Sequence, residues 1–395
     1  MGGRTFNVLH CDARPPGVQF CIAATRDAGA LEVLFAASMM IKKRSAPARV
    51  RPAKAATRRK PVLIDLALQG GGAHGAFTWG VLDRLLEESW LVIDGVSGTS
   101  AGAMNAAVMV EGHATGGADG ARAALEQFWK RVSDAAKFSP FRRGPLEILS
   151  GRWTLEYSPL FLAADIAGRM FSPYDLNPTG INPLRAILEE SIDFKALTKS
   201  PIKVFITATN VRTGRGRVFR NAELTPDVLL ASGCLPTMFQ AVEVDGEPYW
   251  DGGYSGNPTI SPLVRECKSH DTILVQINPV ERPGTPKSAS DILNRLNEVS
   301  FNAPLMKELR AIALLRQCVD PGHSEGASWA AMRIHRISTE AMLELGHSSK
   351  MIAEWKFFCM LRDEGRRAAS EFLDIHAKDI GKRSSFDLET LLDTI

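Results

Sequence analysis

Two apolar runs, each ended by a glycine-rich turn and followed by helical spacing, constrain this chain more than anything else in it. VLIDLAL (62–68) has the length and continuity of a strand buried on both faces, and QGGGAHG (69–75) ends it. Phe77, Val81, Leu82, Leu85 and Leu86 then recur at helical spacing. LVIDGV (91–96) is a second short strand, the turn GTSAG (98–102) follows it, and an alanine-rich helix begins at Ala101. Strand–helix–strand–helix in this order predicts a mostly parallel sheet with helices on both faces.

Further segments extend the pattern. KVFITAT (203–209) and DTILVQI (271–277) read as strands, and VRTGRGRVF as a glycine-turned hairpin. TPDVLLASG is a short helix capped by Thr225, and AVEVDGEPYWDGG (241–253) is a hairpin turning at Asp245–Gly246. Residues 113–200 are mostly helical, with Asn182 as an N-cap and Pro183 at the first helical position of one helix. Beyond about Ser288 the pattern is helical to the end, broken at Pro304 and around 321–328. The expected organisation is an N-terminal arm (1–60), an α/β domain (61–285) and a mainly helical C-terminal region (286–395). There are no internal repeats.

The net charge of +3 hides an asymmetry. Residues 41–60 carry nine Lys and Arg and no acid, which leaves 61–395 at −6. That arm has almost no large apolar residues and reads as disordered. It is either a solvated linker or a patch for anionic membrane, each basic residue then contributing about 1 kcal/mol near the surface. With an acidic body, nucleic acid is not an expected partner. LEVLFAASMMI (31–41) is too short to span a bilayer, and its basic cluster follows the apolar run, so a signal peptide fits poorly. Met39 or Met40 is an alternative start. The six cysteines (11, 21, 234, 267, 318 and 359) are scattered, which favours free thiols, a cytoplasmic setting with peripheral membrane contact through 42–60, and no zinc site.

Three short motifs carry chemistry. Gly70–Gly75 lies between a strand and a helix, where consecutive glycines turn backbone N–H groups toward an anion. The same run matches G-x-G-x-x-G, with Asp94 placed as a ribose-binding acid, and it is equally a tight turn. Gly98, Ser100 and Gly102 spell G-x-S-x-G, the pattern of a nucleophile on a sharp strand-to-helix turn, or of a capping serine. Asp251, followed by Gly252 and Gly253, is a hairpin turn or a carboxylate free to act as general base.

Together, the glycine loop at 70–75, GTSAG at 98–102 and DGG at 251–253 resemble the patatin-like phospholipases, as do GAMNAAV, FITATNVRTG and LASGCLPTMFQAV. The likeness covers roughly residues 62–280. It implies a three-layer α/β/α sandwich and a Ser–Asp dyad without histidine. Matched residue by residue, it makes Ser100 the nucleophile, Asp251 its base, and the N–H groups of Gly70, Gly71 and Gly72 the oxyanion hole. Gly75, Gly98, Gly102, Gly252 and Gly253 support these motifs. The chain departs at His74, where many members of the family carry arginine or lysine.

The reading is a serine acyl hydrolase of phospholipids or lysophospholipids, acting through an acyl-enzyme and needing neither cofactor nor metal. A carboxylate of ordinary pKa is a weak base, so Asp251 is expected to be desolvated. Leu235, Pro236, Met238 and Phe239 are candidates for an acyl groove as well as for core packing. The alternatives are an acyltransferase on the same dyad, a dinucleotide-binding oxidoreductase and a non-enzymatic lipid-surface protein. His270, His323, His335, His347 and His376 follow Asp251, as a hidden triad would require, and each is expected to be a surface or capping residue.

Overall fold

The computed structural model describes residues 59–139, 141–317 and 325–392. Residues 1–58, which hold most of the basic arm, Met39, Met40, Cys11 and Cys21, lie outside the described residues, as do Cys318 and His323.

One sheet organises the described chain. Its strands are β1 (Val62–Leu68), β2 (Leu91–Gly98), β3 (Lys203–Asn210), β4 (Gly216–Arg220), β5 (Val242–Val244), β6 (Glu247–Asp251), β7 (Asp271–Val275) and β8 (Arg333–Ile337). They lie in the order β5-β6-β3-β2-β1-β7-β8, with β4 added to β3. β1 runs parallel to β2 and β7, β2 to β3, and β7 to β8. Only the hairpin strands β4, β5 and β6 pair antiparallel.

Successive side chains of a strand point to opposite faces, and the core divides accordingly. Leu66, Leu68, Val204, Ile206, Ile273 and Val275 join one apolar cluster. The residues between them, Ala67, Phe205 and Leu274, join another. The first cluster is covered by α1 (Gly75–Leu85) and α2 (Ala101–Ala135), which follow the two glycine turns. Between α2 and β3 lie α3 (Pro145–Leu149), α4 (Pro159–Met170), α5 (Pro173–Leu176), α6 (Leu184–Ser191) and α7 (Phe194–Thr198). α8 (Pro226–Ser232) begins at the expected Thr225 cap, whose side chain accepts from Val228 N. α9 (Ser261–Glu266) and α10 (Ala289–Gln317) cover the second cluster, with α11 (Glu325–Ala331) beside them. α12 (Trp355–His376) returns to pack on α1. Helices on both faces of a mostly parallel sheet are the expected three-layer sandwich.

The C-terminal region differs from its sequence pattern. RIHRI (333–337) is not helical but forms β8 on the edge of the sheet, bound to β7 by ladder pairing and by Asp271. The Asp271 carboxylate accepts from Arg333 Nη2 at 2.6 Å and lies 3.0 Å from His335 Nε2. His335, expected at the surface, is therefore fully buried. α10 runs unbroken through Pro304, because buried Asn302, Leu305, Leu309 and Ile312 hold it to the sheet on both sides of the ring. In α6 the first helical residue is Leu184, one later than expected, and Asn182 Oδ1 accepts its N–H at 3.0 Å.

The α1–α12 seam sets a stability test. A Cβ on Gly80 would overlap the Arg362 carbonyl oxygen, and one on Gly365 that of Phe77. Alanine gains about 1 kcal/mol over glycine in helix propensity, whereas overpacking against rigid backbone costs roughly 1–3 kcal/mol. Gly365→Ala should therefore lower the free energy of unfolding by up to about 2 kcal/mol in urea titrations. A raised midpoint would show that the two helices do not meet there.

Candidate active site

The carboxyl ends of β1 and β2 and the end of β6 converge on one point. β2 ends at Gly98, and Ser100 turns the chain into α2 with φ 55 and ψ −123. This is a left-handed conformation that costs a non-glycine residue about 1–3 kcal/mol and recurs at functional sites. The turn is tight: a Cβ on Gly102 would overlap the Leu68 carbonyl oxygen, so α2 can start against the end of β1 only with glycine there. The Ser100 N–H donates to Ser232 Oγ at 2.9 Å, and that hydroxyl donates to Thr207 O at 2.7 Å. The strained turn is thus tied to β3 through α8.

Asp251 ends β6 and is 1% exposed. Its backbone N–H donates to Cys234 O at 2.8 Å, and its carbonyl accepts from Thr209 Oγ1 at 2.8 Å. The carboxylate accepts the Gly253 N–H at 2.7 Å, and the Ser100 hydroxyl lies near enough to favour its ionised form. Burial pushes its carboxyl up to about 7, and the bond from Gly253, the nearby Ser100 hydroxyl and the charge of Lys350 only partly oppose that. The desolvated carboxylate expected from the sequence is present.

The glycine loop packs on the serine turn, since a Cβ on Gly70 would lie 2.7 Å from the Ser100 Cβ. The three N–H groups expected to act together are not equivalent. That of Gly70 is already donated to Asn257 Oδ1 at 2.7 Å, so Gly70 braces the loop. Gly71 and Gly72, the latter with φ 57, carry N–H groups that have no acceptor among the described residues. Gly71 caps and Gly72 opens a short 3-10 turn (Gly72–His74) that leads into α1.

His74 is buried and lies 2.7 Å from Ser349 Oγ through Nε2. Burial first, and then the charges of Lys350, His347 and Arg282, hold its pKa well below the ordinary range, so it is neutral. Among the described histidines none bonds Ser100 or Asp251. His376 pairs with Asp379 at 3.1 Å, His347 lies 3.3 Å from Asn297, and His270 is exposed. Leu235, Pro236, Met238 and Phe239 are half-buried in the segment after Gly233, whose added Cβ would lie 3.6 Å from Ser100 Oγ.

Asp94 is not where a ribose-binding acid is needed. It follows Ile93, which pairs with Ile64 near the start of β1, and Leu68 ends that strand four residues later. At about 3.3 Å per residue this places it more than roughly 10 Å from the glycine loop. Its carboxylate accepts the N–H groups of Lys268 and Ser269.

Several site residues have no local sequence signature. Asn257, Asn278, Asn302 and Lys350 reach the loop from far along the chain. Asn257 bonds Gly70 N, and Asn278 bonds Gly70 O at 2.9 Å. Gln69 is held by Asn302 at 3.0 Å and accepts the N–H groups of Ile277 and Asn278 at 2.9 Å each.

A model of the patatin-like phospholipase family matches residues 66–264, about half of the chain. Among solved structures, the chain is similar to VipD from Legionella pneumophila, with 16% identity and a TM-score of 0.34 over 80% of this chain and 67% of that one. It is also similar to the type III effector protein ExoU, with 17% identity and a TM-score of 0.28 over 80% of this chain and 53% of that one. The chain thus spans about half the length of ExoU. No curated protein sequence gives a match.

The raised carboxyl makes a prediction independent of any activity. Asp251 binds its proton more tightly in the folded chain than in the unfolded one, where a value near 3.8 applies. Stability from this group is therefore full below about pH 4 and is lost as pH rises to about 7, on the order of 4 kcal/mol in all. Asp251→Asn should unfold at a higher temperature than wild type at pH 8, with the gap closing toward pH 4. A gap that is constant with pH would mean that Asp251 is ionised at no cost.

Proposed function

The chain belongs to the patatin-like phospholipase family, and from that premise we propose that it is a serine acyl hydrolase in which Ser100 is the nucleophile and Asp251 its general base. One observation carries the reading: the Ser100 hydroxyl lies near a buried carboxylate of raised pKa, and the glycine loop packed on the serine turn carries two backbone N–H groups with no acceptor among the described residues.

In this mechanism Ser100 Oγ attacks the acyl carbonyl carbon while Asp251 takes the hydroxyl proton. The carbonyl oxygen becomes an oxyanion, held by the N–H groups of Gly71 and Gly72. Such donors are worth about 3–4 kcal/mol each in acyl transfer. The intermediate collapses, the bond to the alcohol breaks, and the departing alkoxide takes the proton from Asp251. The acyl group then rests on Ser100. Water attacks it, Asp251 accepts a proton from that water, and release of the fatty acid returns the proton to Ser100. A base with a pKa of about 7 suits both directions of transfer near neutral pH.

The substrate side is supported by exposed apolar surface. α4 buries no residue, and Leu160, Leu162, Ile166 and Met170 along it are each about half exposed or more. α4 and α5 border the segment after Gly233, where Gln240 Nε2 donates to Asn177 O at 2.6 Å and Tyr174 Oη accepts from Ala241 N. Exposed apolar patches of this kind suit contact with lipid. No helix among the described residues is long and apolar enough to cross a membrane. Residues 42–60 remain the proposed contact for anionic membrane.

Ser100→Ala and Asp251→Asn should each lower ester hydrolysis at least about a thousandfold, with the double variant no worse than either single one, since both serve one step. Replacing His74, His270, His347 or His376 should cost at most about tenfold, or 1.4 kcal/mol of barrier. A thousandfold loss at one of these histidines, with folding intact, would contradict the dyad.

A further inference from the structure

The segment from Gly346 to Met351, between β8 and α12, lies directly on the glycine loop. A Cβ on Gly72 would sit 2.6 Å from the Lys350 carbonyl oxygen, and Ser349 is the partner of His74. From this segment the Lys350 ammonium donates to Asn278 Oδ1 at 2.8 Å. Asn278 donates through Nδ2 to the Gly70 carbonyl oxygen at 2.9 Å and lies 3.3 Å from Gln69 Oε1. The Gly70 carbonyl and the Gly71 N–H belong to one peptide group.

We infer that Lys350 is a positioning residue for acyl transfer, acting through Asn278 to polarise the Gly70–Gly71 peptide and strengthen the Gly71 N–H as an oxyanion donor. The inference rests on the hydrolase reading above and extends it to the C-terminal region. A cation on the amide oxygen of Asn278 draws density from its NH2 group, which then binds the Gly70 oxygen more strongly. That bond in turn draws density from the Gly71 N–H. Hydrogen bonds in such a chain reinforce one another by about 10–30% each. The ammonium also adds positive potential to a loop whose own His74 is neutral. Because negative charge on the acyl oxygen develops only in the transition state, the benefit should fall on kcat and spare KM.

The surroundings keep this cation available near neutral pH. Burial pushes the Lys350 ammonium down to about 8, and Arg282 pushes the same way, while Glu298 on α10 and Asp251 at the end of β6 support the charged form. His74 and His347 stand beside it, both held below the ordinary histidine range.

The test uses the full chain, p-nitrophenyl butyrate as probe, and the variants Lys350→Met and Lys350→Arg. Lys350→Met should lower kcat about tenfold to hundredfold, less than loss of a donor itself, with KM within about threefold. Lys350→Arg keeps the charge and should recover most of kcat. Wild-type kcat should also fall above about pH 8 as the ammonium is lost, and that limb should move to higher pH in Lys350→Arg. A Lys350→Met enzyme with wild-type kcat, or an equal loss in both variants, overturns the inference. Should Lys350→Met fail to fold, an alkaline limb that stays in place in Lys350→Arg overturns it as well. Labelling of Ser100 by a fluorophosphonate separates the two claims. Labelled, active wild type with an indifferent Lys350 defeats this inference alone, whereas wild type that neither labels nor turns over defeats the hydrolase reading and this one with it.

Discussion

A carboxylic acid removed from water must be protonated or have its oxygens occupied, and Asp251 is 1% exposed at the end of a strand. Much of the site answers that requirement. The Gly253 N–H donates to the carboxylate and the Ser100 hydroxyl lies near it, and together they do not fully offset the loss of hydration. The result is a group that gives up its proton near neutral pH, which a solvated aspartate does not do. To bring a serine to it, the chain accepts a left-handed Ser100 and a helix that begins in contact with the end of β1.

The sheet supplies rigidity for this arrangement, and the C-terminal chain completes it. β8 extends the sheet beyond β7, α12 packs on α1, and the segment between them touches the loop before α1. α1 is therefore held before its start, by Asn257 and Asn278 on the loop that precedes it, and along its length by the glycine seam. In the proposed mechanism, donors held this firmly need little reorganisation when charge develops opposite them. The 3–4 kcal/mol assigned to each donor depends on that rigidity.

Features set by neighbouring residues were legible in the sequence. The buried strands, the glycine turns, the Thr225 cap and the Asp245–Gly246 hairpin each depend on a few adjacent side chains, and each lies where its pattern places it. Ser100 and Asp251 could be picked out because glycines flank them, although only the fold brings the two together. Asn257, Asn278 and Lys350 could not, because a polar residue in a loop looks the same whether it faces water or a glycine loop some 190 to 280 residues away. The short edge strand β8 was hidden for a related reason. Its alternation is brief and basic, and what makes it a strand is β7 and the carboxylate of Asp271. Pro304 misled as a helix breaker because tertiary packing outweighs one missing hydrogen bond.

The central claim is that Ser100 is a nucleophile activated by a carboxylate of pKa about 7. Treating the folded chain with a fluorophosphonate ester across a pH series, and locating the modified residue by peptide mapping, tests it most directly. The expected result is one modified residue, Ser100, with a labelling rate that rises with pH through a midpoint near 7 and is lost in Asp251→Asn. Modification at another serine, or labelling of Ser100 that is indifferent to Asp251, would contradict it.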